Sequence, residues 1–141
     1  MNNYSKQREV ILEIIKENQI HPTAEEIYQL VIKKSPRISK STVYRNINIL
    51  VEQGSIRKIT MVTGPDRFEY VHEDHQHIIC ENCRRVMDFC YNFNIPQIEK
   101  NIIKQLKNTF EVNNVIIYGI CEDCKSKIKN KEEINYGIKR K

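Results

Sequence analysis

The chain has 141 residues, of which 40% are hydrophobic and 29% charged, with a formal net charge of +5. These values are ordinary for a soluble globular protein, and the length suits one compact domain or two small ones sharing a core. The sequence contains no apolar run near the roughly 20 residues of a membrane helix, and its polar start lacks the apolar stretch of a secretory signal. We therefore expect a cytoplasmic protein.

Charge is unevenly distributed along the chain. Residues 1–70 carry 11 Lys and Arg against 8 Asp and Glu (+3), and residues 71–124 carry 5 against 8 (−3). Residues 125–141 carry 7 against 2 (+5). An acidic middle between basic ends is typical of a protein with an anionic partner such as nucleic acid, and a solvated surface is the alternative.

Three helices are predicted in the first 54 residues. Apolar residues recur at helical spacing over Ser5–Glu17. A second helix should begin after Thr23, which forms a T-x-x-E capping box with Glu26, and should end at Pro36. A third is expected over residues 39–54, between a serine N-cap and a glycine. Its buried stripe is Val43, Ile47, Leu50 and Val51. Its outward face is Ser41, Thr42, Tyr44, Arg45 and Asn48.

After residue 54 the apolar period becomes that of strands. The segments "SIRKITMV" and "RFEYVH" alternate on either side of the turn "TGPD". Three short helices followed by a two-stranded hairpin predict a winged helix-turn-helix over residues 1–71.

Residues 72–124 predict a second, smaller unit. "HIIC" and "VMDFC" are expected strands around the knuckle "ENCR", followed by a helix over residues 96–108 and a final strand in "EVNNVIIYGIC". The segment 125–141 is basic with weak periodicity, so a loosely ordered tail is expected. The predicted fold class is therefore α+β, a winged helix-turn-helix followed by a small α/β domain.

Four of the five cysteines form two C-x-x-C pairs, Cys80/Cys83 and Cys121/Cys124. Thiolates bind zinc tetrahedrally, and a two-residue spacer lets both sulfurs of a pair reach one ion. The two pairs together predict a closed, structural zinc site with one ion per chain, and a redox dithiol or buried thiols are the alternatives. The fifth cysteine, Cys90, is expected to be a small buried residue, with a reactive thiol as the alternative.

A run of acids and histidines, "EDHQH", precedes the first cysteine pair. His75 and His77 are two residues apart on a predicted strand and so share a face, and a hairpin would bring Asp88 beside them. His21 precedes the second helix, and Glu69 ends the wing. Imidazole and carboxylate donors suit Fe(II), Mn(II), Co(II), Ni(II) or Zn(II) rather than Cu(I). A second metal site is predicted, with surface histidines as the alternative.

Five segments resemble the ferric uptake regulator family of bacterial metal-dependent repressors: "HPTAEEIY", "STVYRNINIL", "RFEY", "DHQHIICENC" and "YGICEDC". The resemblance runs over residues 5–124 and is greatest to the peroxide-sensing branch. The iron-sensing branch is the alternative, and a zinc-uptake regulator is a third. The resemblance implies a homodimer without enzymatic activity, with a C-terminal dimerisation domain, that binds a palindromic operator in double-stranded DNA.

The resemblance also implies roles for particular residues. Structural zinc would be bound by the four paired cysteines, Cys80, Cys83, Cys121 and Cys124. One regulatory Fe(II) or Mn(II) per chain would be bound by His21, Glu69, His75, His77 and Asp88. The DNA-reading helix would be residues 41–53, and phosphate contacts are expected nearby. The full predicted DNA-binding set is Lys40, Ser41, Thr42, Tyr44, Arg45, Asn48, Arg57 and Lys58. In the peroxide-sensing relatives a ligand histidine is oxidised, here His21 or His75.

Some positions depart from the family pattern. The peroxide-sensing branch usually has Asp at position 69, where this chain has Glu69 as the iron sensors do, whereas Asp88 agrees with the peroxide sensors. The glycine that usually follows the first knuckle is Arg84. Gln76 and the pair at residues 113–114 stand where many iron sensors place ligands of a third metal site. That site is therefore expected to be missing, which favours the peroxide-sensing branch.

Two other function classes fit parts of the sequence. In a metalloenzyme, the histidines and carboxylates would form a catalytic centre with an open position. No evident nucleophile or phosphate-binding turn supports that interpretation. In a zinc-ribbon adaptor there would be no role in DNA binding, and the outward "STVYRN" face and the basic wing argue against it.

Overall fold

The structure is a computed structural model that describes the backbone of residues 3–139 and the side chains of residues 5–132. Its elements in chain order are α1 Asn3–Glu17, α2 Ala24–Lys34, α3 Lys40–Glu52, β1 Ile56–Ile59, β2 Arg67–Tyr70, β3 Gln76–Cys80, β4 Val86–Phe89, α4 Ile95–Leu106, β5 Ile116–Gly119 and α5 Glu122–Lys139. The chain divides into an N-terminal unit, Met1–Glu73, and a C-terminal unit, Asp74–Lys141. Among the described residues, no helix is both long and apolar enough to cross a membrane.

The predicted start and stop signals set the ends of α2 and α3. The Thr23 hydroxyl accepts a hydrogen bond from the Glu26 amide at 3.2 Å, and the Glu26 carboxylate accepts one from the Thr23 amide at 3.0 Å. This reciprocal pair is the predicted capping box. The Ser39 hydroxyl accepts from the amide of residue 42 at 3.2 Å and begins α3. Gly54, with φ +74°, takes the left-handed conformation that follows the helix.

The N-terminal unit has its own hydrophobic core. The three helices pack together and against the hairpin formed by β1 and β2, and Val51, expected in the core, is half-buried. Because each fully buried aliphatic or aromatic side chain contributes about 1.5–3 kcal/mol, this core can hold the unit together without a metal. The buried members are Ile11, Ile14, Ile15, Ile27, Val31, Ile38, Val43, Ile47, Leu50, Ile56 and Phe68.

Strands β1 and β2 form the predicted antiparallel wing. In their register Arg57 lies opposite Glu69. The Asp66 carboxylate accepts a hydrogen bond from the Met61 amide at 3.1 Å and closes the turn. The amide of residue 68 donates to the Pro22 carbonyl at 2.9 Å, which ties β2 to the segment before α2. The predicted winged helix-turn-helix is therefore confirmed.

The C-terminal unit is a three-stranded sheet with the order β4-β3-β5. Strand β3 pairs antiparallel with β4 and parallel with β5, and in these registers His77 lies opposite Asp88 and Cys80 opposite Gly119. The last strand begins at Ile116, five residues later than predicted. Asn113 and the residue after it disfavour strand structure.

The segment after residue 124, expected to be loosely ordered, has helical backbone where the structure describes it. Helix α5 continues from Glu122 to Lys139, and the last two residues of the predicted tail lie outside the described residues. Lys, Glu and Ile are adequate helix formers, while the side chains of residues 125–132 are all exposed. Over residues 125–132 the weak apolar periodicity therefore corresponds to a helix without a buried face.

Candidate metal centres and nucleic-acid interface

The four paired cysteines converge at one end of the C-terminal sheet. Cys80 ends β3, Cys121 follows β5, and Cys124 lies in the first turn of α5. All four sulfur atoms lie within 4.8 Å of one another, and those of Cys83 and Cys121 are 3.8 Å apart. Zn–S bonds of about 2.3 Å in a tetrahedron place the sulfurs roughly 3.8 Å apart. The cluster therefore suits a structural zinc ion.

Local contacts lower the pKa of one cysteine of this cluster and raise the pKa of another. The backbone N–H groups of Cys121, at 3.3 Å, and Cys83, at 3.5 Å, donate to the Cys80 sulfur and lower the pKa of Cys80 to about 6. A hydrogen bond with Asn82 lowers the pKa of Cys124, but contact with the Cys121 thiol and burial raise it to about 11. Several thiolates this close together repel one another, so a bound dication would stabilise the fully deprotonated set.

His75, His77 and Asp88 form a second cluster in the C-terminal unit. The Nε2 atoms of the two histidines are 3.2 Å apart. The Asp88 Oδ1 atom lies 3.3 Å from His75 Nε2 and 3.6 Å from His77 Nε2. Donor atoms bound at about 2.1 Å to one ion lie roughly 3 Å apart. Both imidazoles are buried and the carboxylate is half-exposed, so this mixed nitrogen and oxygen set suits Fe(II) or Mn(II).

The other two predicted ligands meet in the N-terminal unit. His21 Nε2 lies 3.4 Å from Glu69 Oε2, and both side chains are buried. His21 has φ 55°, a left-handed conformation that is uncommon outside glycine and that marks functional positions in many proteins. Arg57, predicted to contact phosphate, lies 3.5 Å from the other oxygen of Glu69. The guanidinium group therefore lies against a predicted metal ligand.

The predicted DNA-reading face lies on α3. Ser41, Arg45 and Asn48 are exposed, as are Lys40 and Lys58, whereas Thr42 and Tyr44 are half-buried. Sequence reasoning missed two residues that shape this face. Asn46 is buried, donates to the Thr42 carbonyl at 2.9 Å and accepts from Arg8 at 3.1 Å. Glu25 of α2 accepts a hydrogen bond from the Tyr44 hydroxyl at 3.2 Å. No periodicity or motif in the sequence indicated either contact.

Cys90 is exposed, so the expectation of a buried residue is wrong. Strand β4 ends at Phe89, and Cys90 begins the connection to α4.

Arg84 has a left-handed backbone conformation, with φ 63°. The family that the sequence resembles usually has glycine at this position, and the left-handed backbone explains that preference.

Comparison with known proteins tests the resemblance. The sequence profile of the Ferric uptake regulator family matches residues 2–119. The chain belongs to this family. As a family member it is 35% identical over 121 residues to the peroxide operon regulator of Bacillus subtilis, across 86% of this chain and 83% of that protein. The expectation that the chain is a regulator and not an enzyme is thereby confirmed.

Solved structures of the family agree with the fold. The Campylobacter jejuni peroxide stress regulator aligns with a TM-score of 0.69 at 28% identity, over 86% of this chain and 90% of that one. The Helicobacter pylori ferric uptake regulator Fur, whose structure reveals three functional metal binding sites, aligns with a TM-score of 0.73 at 25% identity. That alignment covers 89% of this chain and 82% of the Helicobacter pylori chain.

Proposed function

We propose that this chain is a metal-dependent transcriptional repressor that senses peroxide through a regulatory Fe(II) or Mn(II) ion. The observation that carries the proposal is the buried imidazole pair of His75 and His77 beside Asp88, in a chain whose N-terminal unit is a winged helix-turn-helix. Similarity to the peroxide regulators of Bacillus subtilis and Campylobacter jejuni supports peroxide as the signal. Because DNA is the target, the protein acts in the cytoplasm.

The regulatory ion is proposed to be shared by two sets of side chains. His21 and Glu69 are supplied by the N-terminal unit, and His75, His77 and Asp88 by the C-terminal unit. Buried imidazoles and carboxylates are costly unless they are paired or bind a metal, and four of these five residues are buried. Binding through both sets would order the joining residues 71–74 and fix the orientation of the DNA-reading helix. The ion would then favour DNA binding by its preference for that ordered state.

A homodimer is proposed from the apolar surface of the C-terminal unit. All residues of α4 are described, and none of them is buried. Large apolar side chains exposed together mark protein interfaces, and this unit exposes Ile103, Leu106, Phe110, Tyr118 and Ile120. A twofold dimer would present two DNA-reading helices to a palindromic operator, with half-sites about 34–36 Å apart or a multiple of that spacing.

The DNA contacts are proposed to come from α3 and the wing. Arg45, Asn48 and Ser41 are exposed on α3 and would reach base edges in the major groove. Lys40 and Lys58 would contact phosphates, which makes the affinity dependent on salt. If Arg45 reads a base, replacing it with Ala should weaken operator binding by about 1–3 kcal/mol.

The test is DNA binding by the apo, Fe(II) and Mn(II) forms, each before and after mild peroxide. The operator would first be selected from a pool of random duplexes with the Mn(II) form. We expect both metal forms to bind the selected DNA more tightly than the apo form. Peroxide should release only the Fe(II) form from the DNA, and mass spectrometry of that form should find one added oxygen atom on His21 or His75.

Each contrary outcome has a specific meaning. An Fe(II) form that keeps its DNA and its unmodified histidines after peroxide would indicate the iron-sensing alternative, which Glu69 favours. Equal binding by apo and metal-loaded protein would contradict metal dependence. Failure of every form to select DNA would contradict the repressor function itself.

A further inference from the structure

Glu25 of α2 contacts two residues of the proposed DNA-binding set, Lys40 and Tyr44. One oxygen of its carboxylate, Oε2, lies 2.5 Å from the Lys40 ammonium and accepts a hydrogen bond from the Tyr44 hydroxyl at 3.2 Å. Its other oxygen accepts from Gln29 at 3.1 Å. The Lys40 ammonium also lies over the ring of Tyr44, 5.6 Å from its centroid, and over the ring of Tyr28 at 5.9 Å. Two members of the predicted DNA-binding set thus already bind an anion within the chain.

A DNA phosphate oxygen would use the same recognition chemistry. Phosphate oxygens accept hydrogen bonds from Lys and Tyr side chains in protein–DNA complexes. Here the hydrogen bond with Lys40 lowers the pKa of Glu25, and the same bond raises the pKa of Lys40. Both groups therefore remain charged through the neutral range, and the Lys40 charge is neutralised before any DNA arrives.

Stability does not account for this arrangement. The side chains of Lys40 and Glu25 are 53% and 48% exposed, and ion pairs this exposed to solvent contribute little to the free energy of folding. The larger consequence concerns charge, because a lysine that already has a counterion inside the protein contributes less to counterion release from DNA.

We propose that Glu25 is an internal substitute for a DNA phosphate, which weakens the binding of this protein to DNA of any sequence. The proposal rests on the proposed DNA-binding function. When DNA binds, Lys40 must exchange the Glu25 carboxylate for a phosphate, and Glu25 then remains beside the DNA backbone with its negative charge. The cost is the same for every sequence, so only DNA that also makes base contacts with α3 binds tightly. Glu25 thus lowers the overall strength of DNA binding through Lys40 and Tyr44, and the base contacts of α3 supply the choice of sequence.

The test compares Glu25→Gln with Glu13→Gln. Glu13 lies on α1 in an exposed ion pair with Lys16, 3.6 Å apart, so its replacement changes net charge equally. Binding of Mn(II)-loaded protein to a random-sequence 30-base-pair duplex (a length of about three turns) would be measured by fluorescence anisotropy over a range of salt concentrations. We expect Glu25→Gln to steepen the salt slope by about 0.9, the value for one more phosphate contact, and to tighten binding about fivefold at low salt.

A second pair of variants isolates Lys40. Replacing Lys40 with Gln should cost little affinity in the wild-type background, where Glu25 neutralises it. The same replacement in the Glu25→Gln background should abolish the gain. Thermal unfolding of each variant would confirm that the N-terminal unit is folded.

The outcomes separate this inference from the proposed function. A Glu25→Gln variant whose affinity and salt slope match those of Glu13→Gln would overturn the role of Glu25, even if the wild type binds its selected operator. Wild-type protein that binds no selected duplex with metal present would instead overturn the proposed function.

Discussion

Replacing Cys83 with Ser should unfold the C-terminal unit and leave the N-terminal unit folded. Within the described part of the C-terminal unit, the buried apolar residues other than cysteines are Ile79 and Val86. At about 1.5–3 kcal/mol each, they contribute roughly 3–6 kcal/mol. A structural zinc ion contributes about 10–16 kcal/mol at neutral pH. The ion is therefore the larger contribution, and the sheet should not survive its loss.

Cys83 is the informative ligand to change because its side chain is exposed. Exchange of sulfur for oxygen there disturbs little packing, so the effect should come through the metal. Hydrogen exchange followed by mass spectrometry should show lost protection in strands β3, β4 and β5, with protection retained in α1, α2 and α3. Metal analysis should show less than one zinc per chain.

Cys90→Ser is the matched control, because Cys90 is also an exposed thiol but lies outside the four-cysteine cluster. It should retain zinc and full protection. The structural role of the zinc ion would be refuted if Cys83→Ser kept one zinc per chain and unchanged exchange in the C-terminal unit. The prediction for the N-terminal unit would be refuted if both units lost protection together.

Three further predictions follow from local geometry. Thr23→Ala removes the capping box and should lower the free energy of unfolding of the N-terminal unit by about 1 kcal/mol in urea titrations, whereas exposed Thr63→Ala should change it little. Arg84→Gly relieves a left-handed backbone and should raise the thermal stability of the C-terminal unit by up to about 1 kcal/mol. Zinc affinity, measured by chelator competition, should rise with pH above neutrality because Cys124, with its pKa raised to about 11, must release a proton on binding. Below pH 6 the affinity should fall more steeply, since Cys80, with its pKa lowered to about 6, is then also protonated.

Most of the fold could be predicted because its signals are local. The caps at Thr23 and Ser39 and the left-handed Gly54 fix helix ends through hydrogen bonds within a few residues. The cysteine spacing indicated the zinc cluster for the same reason, because each pair is a short loop. Placement of Asp88 opposite His77 followed from a hairpin of two adjacent strands.

The remaining features depend on distant contacts or on solvent. Helix α5 has no buried side chain over residues 125–132, so the periodicity of these residues could not reveal it. The exposure of Cys90 depends on where β4 ends, which is set by pairing with β3 rather than by the residue itself. The ion pair between Glu25 and Lys40 joins two helices. The sequence around each residue contains no motif that predicts this contact.

The parallel pairing of β3 with β5 has a consequence for the order of assembly during synthesis. Cys80 and Cys83 leave the ribosome well before Cys121 and Cys124, so the first pair remains free thiols until the second pair has also emerged. By then the N-terminal unit can fold, because all of its contacts are within residues already synthesised. The C-terminal unit folds only when its cysteines bind the zinc ion. Under zinc shortage, chains with a folded N-terminal unit and an unfolded C-terminal unit would therefore accumulate.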